Sequence, residues 1–142
     1  MPRSRAAAAL AGLAALLLAG CSVEVDPPLI RTGTACTWCN MEVEDLHFAC
    51  ERLSGGRWRV YDSIDCLMSD GPRDSPTAVY LPDYERYRLH RADSMFVVRG
   101  SFVTPMGEGF AAFFARAEAD TFAFARHGTV GRLEEFKGTL GR

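Results

Sequence analysis

Apolar and polar residues alternate with period two over residues 46–53, where Leu46, Phe48 and Cys50 face away from His47, Ala49 and Glu51. That period is the signature of a strand with one buried face. Ser54-Gly55-Gly56 supplies a turn and residues 57–61 alternate again, so the pair reads as a β-hairpin. Asp62-Ser63 is a helix start signal, and residues 64–70 give one or two helical turns ended by Gly71-Pro72. Residues 77–81 form the next apolar strand, closed by Pro82-Asp83. The same order then recurs. Residues 95–99 read as a strand ended by Gly100, and a Gly-rich loop follows at 104–109. After it come a strand at 110–114, a helix at 117–127 with Gly128 as its C-cap, and a closing strand at 129–133. Between the halves, residues 84–89 offer a further strand. One long helix over residues 109–126 has alanine in its favour, but Phe110, Phe113, Phe114, Phe122 and Phe124 would crowd almost every face of it. The pattern predicts an α+β protein of two small ββαβ subdomains packed together, one over residues 36–83 and one over 84–142. The repeat rests on element order alone, since the halves share no sequence identity.

The N-terminus shows neither period. Two arginines fall within residues 1–5, residues 6–18 are apolar apart from Gly12, and Leu18-Ala19-Gly20-Cys21 follows. A basic start, a short apolar middle and small residues before a cut site read as a secretory signal over residues 1–20. The apolar run is short for a bilayer span. Its Leu-Ala-Gly-Cys ending resembles a bacterial lipoprotein box, which implies cleavage before Cys21 and lipid on that thiol. Several acyl chains on one residue would anchor the protein firmly to a membrane. By the sorting rule this resemblance brings, Ser22 favours the outer membrane, at its periplasmic face, in a Gram-negative cell. Residues 21–35, with Pro27-Pro28 and Gly33, read as a lipidated tether spanning roughly 50 Å if fully extended. Without the first 20 of its 142 residues the chain suffices for one ordinary domain or two very small ones. Its 18 acidic and 16 basic residues are mixed along the sequence, for a net charge of −2, which argues against nucleic acid as a partner.

The chemistry concentrates in Cys36-Thr37-Trp38-Cys39-Asn40-Met41, where three soft sulfur donors fall close together. Such a cluster holds a soft metal ion or cycles between dithiol and disulfide. The Cys-X-X-Cys spacing is thioredoxin-like, yet no βαβ frame surrounds it, and Glu42, Glu44 and Asp45 disfavour a thiolate. Zinc wants four ligands and generally a second ligand pair, while His47, His90 and His127 show no paired spacing. Copper(I) is soft and content with few sulfur ligands. In an extended segment Cys39 and Met41, two residues apart, point the same way. Met106, behind Pro105 in a Gly-rich loop, is a third donor, the alternative being a plug for a hydrophobic gap. Cys50 sits on the apolar side of its strand and reads as a core residue. Disulfides between Cys36 and Cys39, or between Cys50 and Cys66, are both left open in an oxidising compartment.

Several of these stretches together resemble the NosL family: the lipoprotein cysteine, Cys36-X-X-Cys39-X-Met41, and Tyr61-Asp62-Ser63-Ile64-Asp65-Cys66-Leu67-Met68. So do Tyr80-Leu81-Pro82-Asp83-Tyr84, Thr104-Pro105-Met106-Gly107-Glu108-Gly109, Ala123-Phe124-Ala125-Arg126-His127-Gly128 and Leu133-Glu134-Glu135-Phe136. The resemblance implies a fold of two ββαβ subdomains and a non-enzymatic copper(I)-binding lipoprotein. Such proteins serve assembly of the copper-sulfur centre of nitrous oxide reductase. It implies Cys39 and Met41 as copper ligands and Met106 as the completing thioether. Cys36 becomes a further donor or disulfide partner, and Cys66 and Met68 weaker candidates for which core roles stay open. The implied partners are the membrane, through lipidated Cys21, and nitrous oxide reductase or its assembly transporter complex. Where the family has Cys-Gly-Met this chain has Cys39-Asn40-Met41, and asparagine tolerates a positive φ better than most residues. Three other functions remain as alternatives: a copper- or heavy-metal-sequestering envelope lipoprotein, a thiol-disulfide oxidoreductase using Cys36 and Cys39, and a purely structural envelope lipoprotein. Closure of the two halves is expected to bring Met106 to Cys39.

Overall fold

A computed structural model describes residues 25–71 and 78–140; the signal segment, Cys21 and Thr77 lie outside the described residues. Strands β1 (Cys50–Ser54) and β2 (Arg57–Tyr61) form an antiparallel hairpin with Ser54 opposite Arg57. Gly55 and Gly56 connect them at φ of 56° and 72°, the left-handed pair that a two-residue turn requires. The first strand begins four residues later than the alternation suggests. The Asp45 carboxylate accepts the backbone N–H of His47 at 2.9 Å, and the Phe48 N–H donates to the Asp45 carbonyl. This local turn takes Leu46 and Phe48 out of the strand.

Ser63 is the N-cap of helix α1 (Ile64–Asp70), its hydroxyl accepting from the Cys66 N–H at 3.2 Å, as the sequence signals. Strand β3 (Ala78–Pro82) pairs with β1, and β4 (Leu89–Arg91) pairs with β3, giving the antiparallel order β2-β1-β3-β4. The strand expected over 84–89 starts only at its last residue. The Asp83 carbonyl accepts from the Arg86 and Tyr87 N–H groups, and Tyr87 takes a φ of 58°, so the stretch is a turn.

The second sheet has the order β6-β5-β7, with β5 (Phe96–Arg99) at the centre between β6 (Phe110–Phe113) and β7 (Thr129–Gly131). Helix α2 (Arg116–Ala125) falls between β6 and β7, so the strand-then-helix reading holds and the single long helix does not form. Its end differs from expectation by one residue. His127, not Gly128, adopts the left-handed conformation, at φ 52°, while the Gly128 N–H donates to the Ala123 carbonyl at 2.8 Å. That six-to-one bond is a Schellman closure. Gly128 is small for another reason: a Cβ there would lie 2.7 Å from the Arg99 carbonyl oxygen. The last strand also stops short of Leu133. The Glu135 carboxylate accepts the Arg132 N–H at 2.6 Å and starts a single four-residue turn, helix α3 (Leu133–Phe136).

The fold is thus α+β, with the order ββαβ occurring once around each sheet. One buried cluster joins both: Tyr61, Ile64, Leu67 and Leu81 from the first half meet Met95, Val97, Phe110, Leu133 and Phe136 from the second. On the outer face of the first sheet the Tyr80 hydroxyl donates to the Val25 carbonyl at 2.6 Å, and residues 26–30 line a groove with Leu46, Ala49 and Leu89. No strand forms at Leu29-Ile30. Among the described residues no helix is long and apolar enough to cross a membrane.

Candidate metal site

The sulfur-rich stretch is a closed loop. Ala35 and Glu42 bridge across its base, the Cys36 N–H donates to the Met41 carbonyl at 2.7 Å, and the Asn40 N–H donates to the Cys36 carbonyl at 3.0 Å. Closing so tight a loop needs one left-handed residue. Asn40 provides it at φ 61°, in the conformation that glycine adopts most freely and asparagine better than most other residues. The Thr37 N–H then docks the loop on edge strand β2 by donating to the Val60 carbonyl at 2.8 Å. The extended conformation that would align Cys39 with Met41 does not occur, because the turn folds Cys39 back toward Cys36.

A second pair of donors meets the first. Asp62 follows directly on β2, and Cys66 lies in the first turn of α1, its N–H held by the cap Ser63. One donor atom from each of Cys36, Cys39, Asp62 and Cys66 falls within 4.8 Å of all the others. Cys36, Asp62 and Cys66 are buried and only Cys39 is partly exposed. Its thiol donates to Asp62 Oδ2 across 3.6 Å, while Asp62 Oδ1 is buried without a hydrogen-bond partner. Cys36, Cys39, Cys50 and Cys66 are all free, so neither disulfide left open by the sequence is formed. Cys50 is fully buried in the core and donates to the Ser63 carbonyl at 3.4 Å.

Burial raises the pKa of Cys39, with the neighbouring Cys36 and the negative charge of Asp62 adding to it. Cys66 is pushed up further, again chiefly by burial and then by Asp62. These are neutral thiols at pH 7, poor nucleophiles that give up their protons when a cation replaces them. Asp65, on the same helix turn, is raised to about 6 by burial.

The thioethers sit at the rim. Met41 is half exposed and lines a cleft with Asp62, Thr104 and Pro105. Met106 is similarly exposed, in the loop from the far half of the chain. That loop is built and docked: Thr104 Oγ1 accepts from the Gly107 and Gly109 N–H groups at 3.1 and 3.2 Å, and the Glu108 N–H donates to Asp65 Oδ2 at 3.2 Å. Gly109 has no substitute, since a Cβ would fall 2.0 Å from the Gly100 carbonyl oxygen. The Met106 loop is therefore fastened to the helix that carries Cys66. Met68 packs against the shared core and lines a groove with Arg52, Val79, Leu133 and Leu140.

The residue that sequence reasoning missed is Asp62. It reads as part of a cap signal, and the second ligand pair was sought among histidines. The signal was the spacing of Asp62 and Cys66 around the cap, which puts both at the start of α1.

The crystal structure of the copper chaperone NosL from Shewanella denitrificans matches this chain with a TM-score of 0.70, over 80% of this chain and 97% of that one, at 20% sequence identity. The chain has the NosL fold. No protein-family model matches the sequence, and no curated protein does. On this NosL fold, the three thiols and Asp62 occupy the loop before β1 and the start of α1, the helix to which the Met106 loop is fastened.

Proposed function

We propose that the chain is a membrane-anchored metallochaperone that binds copper(I) and delivers it for assembly of the copper-sulfur centre of nitrous oxide reductase. The observation that carries this reading is the position of Cys39, the partly exposed member of a three-thiol cluster on the fold of a copper chaperone. Copper(I) is the cargo. A soft monovalent ion favours thiolate and thioether donors and accepts low coordination numbers. Cys39 supplies the accessible thiolate, Met41 on the same loop and Met106 on the loop from the far half of the chain the exposed thioethers, and Cys36 and Cys66 further sulfur behind it. Binding expels the thiol proton that burial otherwise retains. Thioethers at the rim exchange readily, so an acceptor's ligand joins before Cys39 lets go, and transfer proceeds without a free ion.

Lipid on Cys21 would hold the site near a membrane, at the periplasmic face of an outer membrane in a Gram-negative cell, with nitrous oxide reductase or its assembly transporter complex as acceptor. The raised thiol pKa values speak against an oxidoreductase, which works through a stabilised thiolate. The test is a copper(I) titration of the reduced full chain in mild detergent against a competing chelator. Cys39→Ser should lose tight binding, and Met41→Leu and Met106→Leu should each weaken it less. Undiminished affinity in Cys39→Ser would sink the proposal. Deleting the protein from cells carrying nitrous oxide reductase should lower the copper-sulfur absorbance of the enzyme at limiting copper; undiminished absorbance would remove the acceptor and favour sequestration.

A further inference from the structure

We infer that the surface formed by the docked tether and the turn before β4 lies against the phospholipid bilayer that holds Cys21, with Leu29 and Tyr87 entering its interface. This rests on the lipid-anchor reading and adds to it the orientation of the domain. The sequence alone allows a tether of roughly 50 Å between Cys21 and Cys36. The fold takes most of that length away. The Tyr80 hydroxyl holds the Val25 carbonyl at 2.6 Å, and residues 26–30 line a groove with Leu46, Ala49 and Leu89. Only Ser22, Val23 and Glu24 separate Cys21 from Val25, so four chain steps reach at most about 14 Å, whatever path they take. That is only about twice the roughly 7 Å depth of one head-group layer. A domain held so short keeps one face against the bilayer, and that face is the one around Val25.

The side chains there suit an interface. Leu29 is 88% exposed and Tyr87 54%, and both line the groove that the tether makes with the sheet. A second groove shares Asp26, Pro27, Arg88 and Leu89 with the first and adds Phe114, half exposed and stacked on His90 at 4.4 Å between ring centroids. Single exposed apolar residues are ordinary, but several across adjoining grooves mark a surface that meets something. Tyr87 keeps its place at a φ of 58°, unusual for a bulky residue, with its N–H on the Asp83 carbonyl and its ring against His47 at 4.1 Å. A tyrosine ring sits well at head-group level and a leucine just below it. Arg88 supplies the polar contact. Among the described residues it has no ionic partner, whereas Arg86 is held by Asp83 and Glu118, and Arg91 by Asp93. An unpaired guanidinium takes phosphate oxygens in its fork. Asp26 and Asp93 line the second groove, so the face recognises head-group phosphate rather than net anionic charge. The metal loop lies elsewhere: it docks on β2, the opposite edge of the sheet from β4, three strand spacings or about 14 Å away. Contact with the bilayer therefore leaves Cys39 open to a partner in water.

The test uses the chain purified from membranes and placed in vesicles of phosphatidylethanolamine and phosphatidylglycerol, with bromine on the acyl chains as a fluorescence quencher. Leu29→Trp and Tyr87→Trp report from the inferred face. Val103→Trp, at a residue 92% exposed in the cleft with Met41 and Asp62, reports from the metal side. All three positions are exposed, so the variants leave the core intact, and each added emission is read against the unaltered chain with its Trp38 and Trp58. Brominated lipid should quench the emission added by Leu29→Trp and Tyr87→Trp and spare that of Val103→Trp. Arg88→Glu sets a carboxylate against head-group phosphate and should lessen the quenching of Tyr87→Trp; quenching left unaltered would overturn the phosphate contact. Mass spectrometry of the N-terminal peptide reads the acyl chains on Cys21 separately. With lipid present, unquenched emission from both Leu29→Trp and Tyr87→Trp gives the face to a second copy or another protein. That result, or stronger quenching of Val103→Trp, overturns the inference and leaves the anchor standing. A Cys21 without acyl chains overturns the anchor and the inference together.

Discussion

Around the first sheet the chain buries Glu51, Arg52, Asp62, Asp65 and Asp70, whereas the second sheet and α2 bury Val97, Val98, Ala111, Phe113, Ala119 and Phe122. The contrast extends to how each half is held. In the first, Arg52 Nη2 and the Tyr61 hydroxyl both donate to Asp70 Oδ2, at 2.6 and 2.7 Å, and Arg52 Nη1 donates to the Gly71 carbonyl at 2.8 Å. In the second, the rings of Tyr84, Phe102 and Phe113 each lie 4.9 Å from that of Phe122 or close beside it. Buried charges give little net stability, because desolvation consumes most of the attraction. Close-packed aromatics give several kcal/mol with no ionisable group at risk. The difference teaches a division of labour: the second half supplies stability, and the first spends part of it on holding thiols and carboxylates out of water.

The largest expected effect tests the supplying side. Phe122→Ala removes the hub of the aromatic cluster and should lower stability by about 3–5 kcal/mol, read from urea unfolding. Metal affinity of the protein that remains folded should stay unaltered, since Phe122 packs in a cluster separate from the thiols. A loss well under 1 kcal/mol would show that the second half is not the stabilising one.

Glu51 tests the spending side. Its side chain shares the outer face of the first sheet with Tyr80 and Val60, both of its carboxylate oxygens lack partners, and burial raises its pKa to about 7. The folded state therefore binds a proton that the unfolded chain, with an ordinary value of 4.5, releases. Between those two values the native state holds more protons, so stability falls as pH rises through the window and is lowest above it. At 1.36 kcal/mol for each pH unit the full loss is roughly 3 kcal/mol. Glu51→Gln carries no charge and should flatten that slope, leaving the smaller decline due to Asp65. Equal pH dependence in the two proteins would show that Glu51 is not strained by its surroundings.

These halves differ too in how far the sequence discloses them. Period-two alternation and the turn residues are local, so the hairpin around Gly55-Gly56, the capped α1 and the strand-helix order of the second half all read correctly. Boundaries were lost where a single side chain competed with the pattern, as Asp45 does before β1 and Asp83 before β4. The cluster was legible in its first pair, with Cys66 named only as a weaker candidate and Asp62 not at all. Cys36 and Cys39 lie three positions apart in sequence, but Asp62 and Cys66 join them through the docking of a loop on β2, a long-range event with no local signature. Asp62 in addition looks like a cap residue, and a carboxylate among thiols is not conspicuous in one dimension. Fastening of the Met106 loop by the backbone of Glu108 on Asp65 is likewise invisible to spacing.

Asn40 gives the smallest and most local test, and it lies on the seam between stability and chemistry. A left-handed conformation costs an ordinary residue roughly 1–2 kcal/mol, less for asparagine and essentially nothing for glycine. Asn40→Ala should therefore lower stability by about 1 kcal/mol, while Asn40→Gly should lie near zero because added freedom in the unfolded chain offsets the relieved strain. The same turn aims Cys39 at Cys36, so the alanine variant should also weaken metal binding severalfold and the glycine variant should not. A chelator competition run on both variants separates the two roles. If alanine lowered stability yet left affinity untouched, the loop conformation would be a folding feature only, and the convergence of Cys39 on the buried thiols would not depend on it.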